Sequence, residues 1–378
     1  MANVHQASDL KQMQSLPLEA KIRMTKQRIK IWYESWVRFE IRDSKTKKVR
    51  FVVHDIRKGE PDLKDSEYIE SQYDGWIYVG FSGGKDSTVL KHIVDSMYDD
   101  VPSLFVNTGL EYPEIQKFAK SQKNVVTVRP EMRFDEVIKK YGYPVVSKVV
   151  SHNIGIAKRN PEGAVAKNIV FNANSSSLFS QYKWNYLVDA PFSVSDKCCE
   201  IMKKRPSNKY QKETGRVPML GTMAAESKLR YSNWLKYGCN AFDSSRPSSA
   251  PLSFWTEQDI LLYIKKYNVP YCSVYGDIQV KGTNKFNKKL FNMADYMDYD
   301  NPTMLLETTG CSRTGCIFCM FGCHLEKEPN RFQQLKKTHP RQYEYCINGG
   351  QIIDGEWKPS KEGLGLGKVL DYVGVDYK

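Results

Sequence analysis

The feature that most constrains this chain is an apolar segment leading directly into two glycines. Residues 76–81 read Trp-Ile-Tyr-Val-Gly-Phe, which is typical of a strand buried on both faces. Ser82, Gly83 and Gly84 follow, and residues 88–98 then carry apolar side chains at helical spacing. A strand, a glycine loop and a helix in this order are expected to begin a parallel sheet with crossover helices.

The same alternation continues along the chain. Strands are predicted at 103–106, 125–128 and 217–220, and helices at 113–122, 134–141 and 253–267. The sequence therefore predicts an α/β fold with a doubly wound, mostly parallel sheet. A helix over 17–38 and a strand pair around 49–53 precede it. The polar stretch 158–181 is predicted to be a mobile loop, and the tail from 349 to be irregular.

These patterns predict four parts of the chain. They are a basic helical N-terminal extension (1–70), a nucleotide-binding α/β domain (71–270), a cysteine-rich metal-binding segment (271–348) and a tail (349–378).

Composition and charge narrow the class of protein. The 378 residues carry a formal net charge of +13, and no stretch of about 18 apolar residues occurs. The N-terminus shows no basic segment followed by an apolar one, so a cytoplasmic protein without a membrane partner is expected. Nine cysteines in such a chain favour metal binding or catalysis over disulfides.

The positive charge is concentrated in residues 21–50. Eleven Lys or Arg stand there against three acidic residues. One interpretation is a solvated helix and hairpin, and the other is a contact with the phosphate backbone of DNA or RNA.

A glycine loop between a strand and a helix is suited to bind phosphate, because free backbone N–H groups and the helix dipole converge there. Lys85 adds a cation, Ser87 a hydroxyl, and Asp86 a carboxylate that can hold Mg²⁺. Lys85 and Asp86 are therefore the candidate catalytic residues.

The loop Ser82-Gly83-Gly84-Lys85-Asp86-Ser87 resembles the fingerprint of the PP-loop ATP pyrophosphatases, which have the adenine nucleotide alpha hydrolase-like fold. Further motifs are similar to the phosphoadenosine phosphosulfate (PAPS) reductase family, which includes DNA phosphorothioation sulfurtransferases. They begin at Val106, Cys198, Gly221 and Pro251. The resemblance implies that ATP, or the adenylyl sulfates PAPS or APS, is bound by Ser82, Gly83, Gly84, Lys85, Asp86, Ser87, Thr108, Gly109, Glu111, Gly221, Glu226 and Arg230.

Six cysteines are candidate metal ligands. Four follow the spacing C-x4-C-x2-C-x3-C, and an adjacent pair lies upstream: Cys311, Cys316, Cys319 and Cys323, with Cys198 and Cys199. Thiolate spacing alone leaves a [4Fe-4S] cluster and Zn²⁺ both open. The resemblance implies Cys198, Cys199, Cys316 and Cys319 as cluster ligands, and the purely local set of four is the rival.

Two enzyme functions are expected from the resemblance. One is reduction of an adenylyl sulfate to sulfite, for which those reductases use a C-terminal Glu-Cys-Gly-x-His motif that residues 371–378 do not contain. The other is ATP-dependent sulfur transfer to a nucleic acid, with a sulfur-donor protein such as a cysteine desulfurase or thioredoxin as partner. A nucleotide-sensing scaffold subunit is the non-enzymatic alternative.

Overall fold

The computed structural model describes residues 5–73, 75–174, 180–281, 298–299 and 304–378. The chain forms two compact units, each built from separate stretches of sequence. The sheet unit comprises Met1–Val106, Tyr112–Val128 and Ser207–Thr314. The cysteine unit comprises Asn107–Glu111, Arg129–Pro206 and Gly315–Lys378.

The sheet unit is built on a six-stranded sheet of order β6-β5-β4-β7-β9-β8. Its strands are β4 (Ile77–Gly80), β5 (Ser103–Val106), β6 (Val125–Val128), β7 (Val217–Leu220), β8 (Asn240–Ala241) and β9 (Ser248–Ser249). Every pairing is parallel except that of β8 with β9. The predicted doubly wound, mostly parallel sheet is confirmed.

Helices α3 (Lys85–Asp95), α4 (Pro113–Ser121), α8 (Lys228–Tyr237) and α9 (Glu257–Lys266) accompany this sheet. Ile77 and Val79 on β4 are fully buried, together with Val89, Leu90 and Ile93 on α3. Strand β4 and helix α3 share one buried core. The glycine loop that joins them is therefore held in a fixed position at the end of the strand.

The N-terminal part consists of α1 (Ala7–Gln14), α2 (Leu18–Ser35) and an antiparallel sheet of β1 (Trp36–Asp43), β2 (Val49–Asp55) and β3 (Glu67–Tyr73), in the order β2-β1-β3. The prediction that the helix continues to residue 38 is wrong. Val37, Phe39 and Ile41 alternate with polar residues and are all buried, and this period of two belongs to a strand.

Helix α9 also begins later than predicted. Residues 253–256 precede it, and Thr256 is its N-cap, whose side chain accepts a hydrogen bond from the Asp259 backbone N–H. A threonine in this position ends the preceding segment and starts the helix at Glu257. Strands β10 (Ile278–Val280) and β11 (Leu306–Thr308) form a separate antiparallel pair.

The cysteine unit contains α5 (Phe134–Tyr141), α6 (Lys148–Arg159), the first part of α7 (Arg205–Thr214), α10 (Arg331–Thr338) and α11 (Pro340–Ile347). Much of the stretch predicted as a mobile loop is regular: a π-helical turn spans Ala166–Val170 and a 3-10 helix begins at Tyr182. The run Ser175–Ser176–Ser177 lies outside the described residues.

The prediction of an irregular tail is wrong. Beyond residue 349 the chain forms β12 (Gln351–Ile353), β13 (Glu356–Lys358) and α12 (Leu366–Val373). Leu366, Val369 and Leu370 are buried at helical spacing. Burial of this apolar face stabilises a helix although glycines are frequent in the segment.

No helix among the described residues combines the length and apolar character that crossing a bilayer requires.

Candidate functional site

The glycine loop lies where the direction of chain winding in the sheet reverses. Strand β4 pairs with β5 on one side and with β7 on the other, and residues 81–84 leave its carboxyl end. In open α/β sheets this topological switch point is where ligands bind. The loop leads into α3, whose N-cap is Gly84.

Two glycines are required by the loop's geometry. Gly83 has a φ of +72°, and a Cβ there would lie 2.9 Å from Ile115 Cγ2. A Cβ on Gly221, which follows β7, would lie 2.9 Å from the Asp86 carbonyl oxygen. Any side chain at either position would displace the loop, because these positions leave no room for a methyl group.

Hydrogen bonds between the two serines hold the loop closed. The Ser82 backbone N–H donates to Ser87 Oγ at 3.1 Å, and Ser87 Oγ donates to the Gly84 carbonyl at 3.0 Å. Ser82 and Ser87 therefore shape the loop through hydrogen bonds within it.

Lys85 is held by residues that the sequence did not single out. Its ammonium donates to the Ser312 carbonyl and lies 2.8 Å from Glu257 Oε1. Its backbone N–H donates to Tyr275 OH at 3.2 Å, and Tyr275 OH lies 2.7 Å from Thr314 Oγ1. The segment just after Cys311 thus packs on the start of α3, which no local pattern indicates.

Asp86 is the most unusual group of the loop. One of its carboxylate oxygens, Oδ1, is buried and has no hydrogen-bond partner among the described residues. Burial raises the pKa of Asp86, against the opposing charges of Lys85 and Arg313. A buried carboxylate with an unused oxygen is suited to bind a cation or a donor on a ligand.

Two arginines converge on Glu226. The carboxylate accepts hydrogen bonds from Arg230 and Arg313, and from the Met223 backbone N–H at 2.9 Å. Burial lowers the pKa of Arg230, and the charge of Arg313 lowers it further. Arg230 also influences the pKa of Asp86, so this cationic pair belongs to the same electrostatic environment as the loop. Arg313 was missed, because an arginine between two cysteines carries no pattern of its own.

Three residues that are predicted to bind the nucleotide belong to the cysteine unit, whereas the glycine loop belongs to the sheet unit. Thr108, Gly109 and Glu111 fall in the stretch Asn107–Glu111, which groups with that unit. Thr108 Oγ1 donates to Glu111 Oε1 at 2.6 Å, and the Thr108 N–H donates to Oε2 at 3.1 Å. Their role toward a nucleotide stays a prediction.

The adjacent cysteines stand at the start of a helical segment in the cysteine unit. Cys198 and Cys199 directly precede a π-helical turn, Glu200–Lys204, and their sulfurs are 3.9 Å apart. Such turns occur often at functional sites because they reorient side chains locally. Cys316 and Cys319 stand in a tight turn in which the Cys319 N–H donates to the Cys316 carbonyl at 3.0 Å.

These four thiols interact electrostatically with one another. The pKa of Cys198 is raised by its hydrogen bond with Cys199, by burial and by the charges of Cys199, Cys319 and Cys316. The pKa of Cys199 is lowered by the same hydrogen bond, and by Lys148 and Lys203 against burial.

Burial acts to lower the pKa of Lys203, but Cys316, Glu111 and Cys199 together raise it. The two lysines thus favour the thiolate form of Cys199, whereas burial raises the pKa of Cys316 to about 11 and also raises that of Cys319.

Cys311 and Cys323 have different surroundings. Cys311 belongs to the sheet unit, where burial raises its pKa, a hydrogen bond with Tyr112 lowers it and Glu114 raises it. Cys323 is buried, and its thiol donates to the Met320 carbonyl at 2.9 Å. Within the described ranges, no three His, Cys, Asp or Glu side chains are placed to hold a single metal ion.

The basic stretch 21–50 is only partly available to a ligand. Lys21 is buried, and four further cations pair with carboxylates: Lys30 with Glu34, Arg38 with Glu40, Arg42 with Glu70 and Arg50 with Glu67. The turn between β1 and β2 carries exposed lysines at 45, 47 and 48.

A parallel sheet with a phosphate-type loop at its switch point is the architecture typical of nucleotide-binding α/β proteins. Residues 77–148 and 120–321 match the family described as phosphoadenosine phosphosulfate reductase domain. The chain therefore belongs to the PAPS reductase family of PP-loop proteins, which is a family of enzymes.

Two individual proteins are similar to parts of the chain. An uncharacterized protein of Methanocaldococcus jannaschii is 36% identical over 72 residues, a match that spans 18% of this chain and 18% of that protein. The crystal structure of phosphoadenylyl-sulfate reductase from Candida auris, in a phosphate complex, matches with 17% identity and a TM-score of 0.30. That match covers 52% of this chain and 75% of the reductase chain.

Proposed function

We propose that this protein binds ATP at Ser82–Ser87, adenylates a nucleic acid and thereby prepares it for sulfur transfer. The observation that carries the proposal is Asp86, a buried carboxylate with an unused oxygen next to the loop lysine. Cleavage of a triphosphate benefits from a divalent cation that neutralises the phosphate charge, and a carboxylate in this position is suited to hold it. Reduction of an adenylyl sulfate breaks a sulfur–oxygen bond and no phosphorus–oxygen bond, so it needs no such cation.

The residues of the sheet unit have distinct roles in this reaction. The loop N–H groups and Lys85 bind the phosphates, and Asp86 would hold Mg²⁺, which would neutralise phosphate charge. An oxygen of the acceptor forms a bond to the α-phosphorus, the bond to pyrophosphate breaks, and pyrophosphate leaves. Arg230 and Arg313, held by Glu226, offer cationic groups for the negative charge that develops.

Lys85 can bind phosphate only after phosphate replaces its present hydrogen bond and ion pair. Lys85 now donates to the Ser312 carbonyl and pairs with Glu257, whose side chain is largely exposed. A bound polyphosphate carries more charge than one exposed carboxylate, so it is expected to displace Glu257 from the ammonium.

The test is pyrophosphate release from Mg·ATP in the presence of oligonucleotides. Lys85→Ala and Asp86→Asn should each lower the rate about 100-fold or more, as expected for loss of a group that stabilises transition-state charge. Lys120→Ala, an exposed lysine on α4, is the matched control and should retain the wild-type rate. Sulfite release from phosphoadenylyl sulfate with thioredoxin, without pyrophosphate release from ATP, would instead support the reductase.

We further propose that Cys198, Cys199, Cys316 and Cys319 hold a [4Fe-4S] cluster. Their support is that all four cysteines belong to one unit, that the sulfurs of Cys198 and Cys199 lie 3.9 Å apart, and that Cys316 and Cys319 act on the pKa of Cys198. Four thiolates are the ligand set of a [4Fe-4S] cluster. When bound, such a cluster supplies one-electron transfer. Lys148 and Lys203 would offset the charge of the thiolates.

The ligand set is tested by metal analysis of anaerobically purified protein. Cys198→Ser with Cys199→Ser should remove the iron, whereas Cys311→Ser with Cys323→Ser should leave it bound. Loss of iron only in the second pair would favour the local set of four cysteines. A colourless protein with one zinc per chain would contradict the cluster.

A further inference from the structure

In the three-stranded sheet β2-β1-β3, one face of β1 is buried, and several side chains on the opposite face are exposed. Val37, Phe39 and Ile41 of β1 form the buried face with Val52 and Leu63. Residues 38, 40 and 42 alternate with them, so they belong to the opposite face. Their partners in register belong to that same face, because directly opposite residues of an antiparallel pair point the same way.

Aromatic and apolar side chains flank β1 on this outer face. Phe51 lies opposite Glu40 on one side, and Arg42 lies between Val49 and Tyr68. Phe51 is 55% exposed and Tyr68 is 44% exposed. We name Val49, Phe51 and Tyr68 with the arginines of β1 the outer platform.

The ring of Phe51 is oriented by a cation. The Arg38 guanidinium lies 4.1 Å from the centre of the Phe51 ring and 3.7 Å from that of Trp76. A stacked arginine restricts the phenyl ring from one side and leaves the remaining surface for a ligand. Exposed rings fixed in this way are a stacking surface for nucleobases, since every base has a π-face.

The turn at the end of the platform supplies positive charge. Lys45, Lys47 and Lys48 are exposed, and none of them forms an ion pair with a described residue. The turn is well defined, because Asp43 accepts hydrogen bonds from the backbone N–H groups of residues 45 and 46 at 3.0 and 2.6 Å. Arg42 and Arg50 are neutralised by Glu70 and Glu67, so the three lysines carry the local excess.

We propose that the outer platform binds single-stranded nucleic acid, with bases stacked on Phe51 and Tyr68 and phosphates on Lys45, Lys47 and Lys48. This inference rests on the proposed function and specifies its acceptor as unpaired. A duplex buries its base faces and cannot use the rings, whereas a single strand uses rings and lysines together. Aromatic surface interspersed with cations favours this occupant over a protein partner.

The proposal makes a quantitative prediction about salt. Three lysine contacts to a single strand give a log–log slope of about −2, at about −0.7 per contact. Changing all three lysines to Ala should bring the slope near zero while the stacking contribution remains. Changing the rings should lower affinity and leave the slope unchanged.

The experiment uses the full chain and a fluorescent single-stranded oligothymidylate of about 16 nucleotides, followed by anisotropy without ATP. Phe51→Leu with Tyr68→Leu, which keeps apolar side chains on the strands, should weaken binding at least about 30-fold, given the usual loss per stacked base. Phe171→Ala with Tyr182→Ala is the matched control, because these exposed aromatics belong to the cysteine unit.

Three results would overturn the proposal: equal affinity of the platform variant and the control variant, tighter binding of the matching duplex, or a platform variant that changes only self-association. Failure of the proposed function is recognised separately. Platform variants should retain Lys85-dependent binding of Mg·ATP, which is measured without oligonucleotide. Binding of the single-stranded oligonucleotide without any Lys85-dependent pyrophosphate release would therefore refute the proposed enzyme activity. It would still support nucleic-acid binding by the outer platform.

Discussion

Breaking the buried ion pair between Lys21 and Asp259 should destabilise the sheet unit strongly. Lys21 Nζ lies 2.8 and 2.7 Å from the two carboxylate oxygens, and the side chains are only 3% and 9% exposed. Nearby, the Trp255 indole N–H donates to Thr25 Oγ1 at 2.9 Å. Residues 251–259 therefore hold helix α2 against the rest of the sheet unit.

Removal of Asp259 and removal of Lys21 should lower the free energy of unfolding by different amounts. Asp259→Ala leaves a buried ammonium without an acceptor, and should cost about 3–5 kcal/mol of unfolding free energy. Lys21→Met leaves a carboxylate that still accepts from the Thr256 N–H and hydroxyl at 2.7 and 2.8 Å, and should cost about 1–3 kcal/mol. The double variant should cost less than Asp259→Ala alone, so the coupling should exceed the cost of Lys21→Met and be at least about 1 kcal/mol.

Thermal unfolding followed by tryptophan fluorescence measures these costs. At about 2–4 °C per kcal/mol for a unit of this size, Asp259→Ala should lower the midpoint by about 6–20 °C. Lys30→Met is the matched control, because Lys30 on the same helix pairs with Glu34 at 3.7 Å and both are exposed. It should change stability by no more than about 0.5 kcal/mol. Equal midpoints for Asp259→Ala and this control, or additive costs in the double variant, would refute the reasoning.

Two further predictions follow from burial. Burial raises the pKa of Asp86, so ionisation of this carboxyl destabilises the fold. The cost is absent below the ordinary pKa of an aspartate and complete above the raised pKa. Asp86→Asn should therefore raise the thermal midpoint at neutral pH, with the gain vanishing as acid protonates the wild-type carboxyl; a lower midpoint at neutral pH would contradict this. Deleting residues 375–378 removes buried Val375 and Tyr377 and should cost about 3 kcal/mol or more, measured by denaturant unfolding. An unchanged denaturation midpoint would show that this segment contributes no packing.

Much of the sheet could be predicted, because its strands and helices are local patterns. The strands at 103–106, 125–128 and 217–220 agree with the structure residue by residue. The phosphate-type loop was predictable for the same reason, since strand, glycines and helix are adjacent in sequence. The predicted helix extends too far because Trp36, the first residue of β1, continues the helical spacing of Ile29 and Trp32.

Only the tertiary structure could decide which distant residues meet. Cysteine spacing grouped Cys311 with Cys316, but the fold assigns Cys311 to the sheet unit and brings Cys316 near Cys199 and Lys203. By sequence, Lys21 belongs to the basic stretch 21–50, yet its side chain is buried against a carboxylate 238 positions away. Arg313 and Tyr275 carry no local signal, and they contact Glu226 and Lys85 only because the chain folds back there. Periodicity reports which face of a helix or strand is buried, whereas the identity of the partner depends on long-range packing that no single segment encodes.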